Sequence, residues 1–258
     1  MWRYIAQSVQ GSVHSADGSA CQDCCAVRVL GAGDAAALVA CVADGAGSTR
    51  HGGVGARMAC EAVLEHASAR FDAAGTLAEL SADEVLAWCE LARRAIADHA
   101  ETTQTAFREF AATLCVVVTA PGKSVFLQIG DGAIVASRNG SMGVAFWPQS
   151  GEYINTTHFL TSPDFRDRVQ TLAVDHEFTD VALLTDGIER LALRFDSLTP
   201  HPPFFTPLFQ ALRTTTDPAS LERDLCQFLQ SDSMQNKTDD DRTLVLASRV
   251  SEAPDGVS

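Results

Sequence analysis

Eight consecutive residues at 36–43, AALVACVA, carry no polar side chain; short, largely apolar segments recur at 24–30, 112–120, 124–130 and 180–187, and mixed ones at 2–9, 133–140 and 242–250. Runs of this length, bounded by Gly, Pro and Asp, predict strands rather than helices. The intervening segments change period. Helices are predicted over 53–71 and from a Ser81 cap, with Glu84 at the capping-box position, to about residue 103. In the second of these, Val85, Cys89, Ala92, Ile96 and His99 form one stripe. Two later helices are predicted at 204–213 and 219–230, where Leu221, Leu225, Phe228 and Leu229 share a face. The strands at 112–120, 124–130 and 133–140 follow each other through Pro121-Gly122 and Asp131-Gly132, connections short enough to predict antiparallel neighbours. Residues 141–163 show no periodicity and are read as irregular. Helices arriving in pairs between runs of antiparallel strands predict a layered α+β sandwich.

Composition narrows the field. With 258 residues, 46% of them hydrophobic, the chain suffices for one large core, and a single domain over 1–250 with a frayed tail at 251–258 is expected. A formal net charge of −14, with Lys123 and Lys237 the only lysines, argues against nonspecific nucleic-acid binding. No apolar stretch is long enough for a membrane span or a leader, so a cytoplasmic location is expected. The eight cysteines mostly stand alone within apolar runs, as buried free thiols do. Cys21, Cys24 and Cys25 have no second pair to complete a zinc set.

The acids at strand ends change the picture most. Asp44-Gly45, Asp131-Gly132 and Asp186-Gly187 each close a predicted strand, Asp239-Asp240-Asp241 opens the last one, and Asp23 precedes the strand at 24–30. One Asp-Gly pair is ordinary turn chemistry. If these strand ends coincide in space, however, several carboxylates converge, and such a cluster needs cations between its members. Oxygen-only ligands suit Mg²⁺ or Mn²⁺. A phosphate-cradling loop fits less well at Asp44, because no Gly-Lys-Ser/Thr follows it and the GAGSTR that does follow puts Arg50 where a dinucleotide fingerprint requires its third glycine.

Taken in order, CQD (21–23), VADGAGS (42–48), AATL (111–114), IGDG (129–132), LTDG (184–187) and DDRT (240–243) resemble the motif series of the metal-dependent serine/threonine protein phosphatases of type 2C. The closest likeness is to a bacterial branch with a His before Cys-Gln-Asp, here His14, and a later Gly-Glu-Tyr-Ile-Asn segment, here 151–155. The resemblance implies a four-layer α-β-β-α sandwich, two central antiparallel sheets flanked by helices, with two metal ions at one end and room for a third. It implies Asp44 as the carboxylate bridging both ions and Gly45 as a carbonyl ligand. Asp186 and Asp240 become further ligands, Asp23 the acid holding metal-bound water, and Asp131 a ligand of the additional ion. Thr113 is given a structural role.

The implied reaction is hydrolysis of phosphoserine or phosphothreonine by a water that two Mg²⁺ or Mn²⁺ ions activate for in-line attack, without a covalent phosphoenzyme. No cysteine lies in a Cys-x5-Arg loop. The implied partners are a phosphoprotein, an opposing kinase and a von Willebrand A-type domain protein. Two departures stand out: Gly18 replaces the family's phosphate-gripping Arg, and Gln22 its Glu. His14 and Arg50 are therefore candidates for the phosphate contact, and His51 for the acid that protonates the leaving group. The same departures motivate an alternative, a phosphatase-like binding module with little turnover. Residues 141–175 fall where relatives carry a flap, and its Phe146, Trp147, Phe159 and Phe165 are read as packing residues.

Overall fold

The polar-free run at 36–43 is explained by burial on both faces. Leu38, Ala40 and Val42 point into a core shared between two sheets, while Val39, Cys41 and Ala43 point into a second core under a layer of helices. Strands covered on both sides have no face for polar residues, so alternation disappears. The computed structural model describes residues 1–149 and 157–250; the segment 151–155 and the tail from Ser251 lie outside them.

In chain order the elements are β1 (Trp2–Val9), α1 (Ser12–Asp17), β2 (Cys24–Leu30), β3 (Ala37–Ala43), α2 (Gly52–Ala74), α3 (Ala82–Thr102), β4 (Leu114–Ala120), β5 (Lys123–Ile129), β6 (Ala133–Arg138) and β7 (Ser141–Val144). There follow α4 (Phe165–Arg168), β8 (Gln170–Val174), β9 (Asp180–Leu184), α5 (Glu189–Ala192), the two-residue strands β10 (Leu193–Arg194) and β11 (Thr199–Pro200), α6 (Pro202–Thr214), α7 (Pro218–Gln230), α8 (Asp232–Gln235) and β12 (Arg242–Arg249). The large strands form two five-stranded sheets, ordered β1-β12-β9-β6-β7 and β2-β3-β4-β5-β8, in which every pairing is antiparallel. Helices α2 and α3 cover one sheet and α6 and α7 the other, which is the expected four-layer sandwich. Ser81 caps α3 with the complete capping box: its side chain accepts from the Glu84 amide, and the Glu84 carboxylate accepts from the Ser81 amide.

One expected pairing is corrected. Strands β5 and β6 are not partners, since β5 pairs with β4 and β8 while β6 pairs with β9 and β7. The Asp131-Gly132 link crosses from one sheet to the other. Gly132 passes so close to its neighbours that a Cβ would lie 2.9 Å from both Cys115 Sγ and the Leu184 carbonyl oxygen. Residues 141–163 are also less irregular than expected, because β7 forms a sheet edge there; β8, further into the region read as a flap, forms the edge of the other sheet.

Candidate metal centre

The sheet-crossing link explains how Asp131 reaches the other acids. It lies where both sheets end, beside the ends of β3 and β9. One carboxylate oxygen each from Asp44, Asp131 and Asp186 lies within 4.8 Å of the others, and all three residues are half-buried. Asp44 is held by its backbone: its amide donates to Thr113 Oγ1 (2.9 Å) and its carbonyl accepts from the Thr113 amide (2.8 Å). Gly45 continues the grip, forming a bridge with Ala112 and donating its amide to the Gln22 carbonyl at 3.2 Å. Gly187 brings the end of β9 against the start of β12, so close that a Cβ would stand 1.9 Å from the Asp241 carbonyl oxygen. Asp186 and Asp240 are thereby set on one wall of an open cleft of about 930 Å³, which Asp131, Thr157 and Glu189 also line.

Asp23 lies behind this wall. Its Oδ2 accepts from the hydroxyls of Thr185 and Thr243, both at 2.7 Å. Burial nevertheless pushes its carboxyl up to about 7, with the Asp241 charge adding to the rise. Burial likewise lifts Asp186 to about 8, reinforced by Asp131, Asp240 and Asp23, and lifts Asp44 well above the carboxylate range, reinforced by Asp23, Asp186, Asp131 and Asp240. Asp131 is raised too, first by burial, although the Thr157 hydroxyl bonded to it opposes the shift. Without cations the cluster can only hold protons. Asp23 Oδ1 and Asp131 Oδ1 are shut off from solvent and meet no donor among the described residues. Hard oxygen ligands, crowded like charge and two orphaned carboxylate oxygens fit a divalent cation site.

A family model described as Protein phosphatase 2C matches residues 10–230, most of the chain. The chain belongs to the protein phosphatase 2C family. It is 36% identical over 251 residues to the Serine/threonine-protein phosphatase 3 of Escherichia coli (strain K12), covering 95% of this chain and 98% of that one. Among solved structures, PppA, a key regulatory component of the type VI secretion system in Pseudomonas aeruginosa, superposes with a TM-score of 0.63 at 15% identity, covering 96% and 97% of the two chains. The catalytic domain of the serine/threonine protein phosphatase PstP, solved with two manganese ions, gives 0.59 at 17% identity over 96% and 98%.

The remaining positions suggested by the family's motifs are spread around the cluster. His14 is buried, its Nδ1 lies 2.9 Å from Asp241 Oδ2, and its Nε2 lies 3.4 Å from Gln22 Nε2. Arg50 is exposed beside Glu109, whose carboxylate accepts its backbone amide at 3.4 Å. The His51 ring is stacked on Phe110, 5.1 Å between centroids. Gly18 adopts the left-handed conformation (φ 76°) that ends α1.

Several residues of the site escaped the motif reading. Asp241 is the main one: its carboxylate accepts from the amides of Gly11 (2.7 Å) and Gln22 (2.6 Å), fastening the segment before Asp23 to β12. Burial alone would raise the Asp241 carboxyl, but the Gly11 amide, His14 and the Gln22 amide outweigh it and hold it below the usual range. Glu189, pushed up to about 7 by burial and then by Asp131, faces the same cleft. The DDRT run contained the signal for Asp241, as two adjacent acids at a strand entry cannot both face one ion. Thr185 and Thr243 gave none, since Thr is commonplace in strands.

Proposed function

We propose that this chain is a divalent-cation-dependent protein phosphatase that hydrolyses phosphoserine or phosphothreonine, with residues 1–250 acting as one unit. The observation that carries the reading is the convergence of Asp44, Asp131 and Asp186 from three strand ends, with Asp23 and Asp240 beside them, in a 2C family member. Asp44, Gly45, Asp186 and Asp240 would hold two Mg²⁺ or Mn²⁺ ions, with Asp131 and Asp186 available to a third. When bound, such ions lower the pKa of a water and offset the charge that builds on the phosphoryl oxygens.

The chain's own residues fix the geometry. Thr113 holds the Asp44 backbone, Thr185 and Thr243 orient Asp23, and Asp241 turns the His14 ring towards Gln22 and the Asp44 loop. His14 is the proposed phosphate contact in place of the family's Arg. Arg50, exposed on the loop after Asp44, is a second proposed phosphate contact, and His51, stacked on Phe110, is the proposed acid for the leaving group. The Escherichia coli relative's name supports a phosphoprotein substrate. An opposing serine/threonine kinase and a von Willebrand A-type domain protein are the proposed partners, in the cytoplasm. None of the described helices is long and apolar enough to cross a membrane.

Hydrolysis of an aryl phosphate with and without Mn²⁺ tests this reading. The wild type should turn over only with the ion, and Asp44→Ala should lose more than about a hundredfold, since removing groups that merely orient a metal ligand already costs 10–100-fold. The Gln22 amide, standing where the family has a carboxylate, favours the alternative of a phosphatase-like binding module. Wild type and Asp44→Ala equally inactive, with Mn²⁺ still bound by calorimetry, would establish that alternative.

A further inference from the structure

The cleft in front of the acids is larger than its proposed chemistry requires. About 930 Å³ far exceeds a phosphate and its ions, and part of its lining is apolar: Trp147, Leu191 and Phe195 line the same opening as Asp131, Asp186 and Asp240. Phe195 stands on the β10–β11 ribbon with 48% of its surface exposed, and meets Trp147 edge to face at 5.2 Å between centroids. A phosphoryl dianion gains nothing from such a wall. An apolar side chain on the substrate does, because each buried aliphatic or aromatic group removes area from water on both partners. Two cations complete the cleft. Arg190 and Lys237 both line it and are exposed, and neither is in an ion pair among the described residues. In a chain of net charge −14 these are the groups able to attract rather than repel an anionic phosphoprotein.

Resting on the phosphatase reading, we propose that Trp147, Leu191 and Phe195 form a specificity subsite. Its occupant is a phosphoprotein segment that places a large apolar side chain near the phosphorylated residue, with Arg190 and Lys237 steering the anionic segment in. Trp147, expected from sequence to be a packing residue, then serves recognition as well.

Pairs of fluorescein-labelled phosphoserine peptides test this, one of each pair carrying Leu and the other Ser at successive flanking positions. Hydrolysis with Mn²⁺ and binding by fluorescence anisotropy are both measured. At one or more flanking positions the wild type should favour the Leu peptide about tenfold, the effect of roughly one well-buried side chain. Phe195→Ser should bring that ratio close to one. Leu198→Ser, on the same ribbon but outside the cleft, should keep it, which controls for damage to the ribbon. Equal hydrolysis and equal binding of Leu and Ser peptides by the wild type would overturn the subsite and leave the phosphatase reading standing. So would a preference that Phe195→Ser does not touch. Absence of turnover together with a binding preference lost in Phe195→Ser would have the opposite meaning: the subsite stands and the phosphatase reading falls.

Discussion

Asp44 concentrates the conflict at the residue scale. Its backbone is fully engaged by Thr113, while its carboxylate faces Asp23, Asp131, Asp186 and Asp240. Folding therefore forces like charges together, at a cost that a cation offsets. Replacement by Asn removes the ionisable group, and with it the cost of protonating or charging it there, and keeps the shape. In chelator-treated protein, Asp44→Asn should melt a few degrees higher than wild type. With saturating Mn²⁺ the order should reverse, because the variant gains far less from the ion. A chelated variant that melts below wild type would mean that the acids are already balanced by something other than a cation. The sequence displayed Asp44 plainly, through its Gly neighbour and its repeated companions at strand ends. Asp241 showed only as a second acid in DDRT, and its role as a clamp on Gly11, Gln22 and His14 depends on contacts more than 200 residues apart in sequence.

At the scale of elements, legibility followed burial. Strands β3, β4 and β9 are sealed on both faces, so their sequences are largely apolar runs, while β12, equally sealed, keeps an apolar centre between buried Arg242, Thr243 and Ser248. Edge strands β7 and β8 lack that seal; four of the five residues of β8 are exposed, and polar or mixed composition left them inside a stretch read as irregular or flap-like. The hairpin reading of Asp131-Gly132 failed for a different reason. A two-residue link normally returns a strand alongside its predecessor, but here β5 already has β4 and β8 on its two sides, leaving no edge for β6. That crossing brings Asp131 to Asp44 and Asp186, so the misread turn and the acid cluster share one cause. Helix α3 was legible from its cap. Ser81→Ala removes the hydroxyl that accepts from the Glu84 amide, leaving only the bond from the Ser81 amide to the Glu84 carboxylate, and should cost about 1 kcal/mol in urea unfolding. The cap lies away from the acids, so Mn²⁺-dependent hydrolysis should stay within about twofold of wild type, given that surface changes far from a site rarely propagate. A larger loss of activity would tie α3 to the site more tightly than its contacts indicate.

For the whole molecule, the cluster makes stability a function of pH and metal together. Asp23 and Asp186 are pushed up to about 7 and 8 in the folded chain, against about 4 for an unfolded aspartate, and Asp44 and Asp131 are raised as well. A group that binds its proton more tightly when folded stabilises the fold fully below the unfolded pKa and loses that contribution as pH rises through the folded pKa. Chelated protein should therefore lose melting temperature steadily between about pH 5 and pH 8. Asp241, held below the usual carboxylate range, has the opposite sign, but its contribution is lost only under more acidic conditions, outside this window. Divalent ions should reverse the trend: they compete with the same protons, so they bind more strongly as the acids ionise. At a metal concentration a hundred times the dissociation constant the gain is about 2.7 kcal/mol, which for a chain of this size corresponds to roughly 5–10 °C. Melting curves at pH 5, 6, 7 and 8, with chelator and with Mn²⁺, should consequently diverge as pH rises. Parallel curves would show that the acids do not share their protons with a metal, and the converging strand ends would then be a feature of the fold alone.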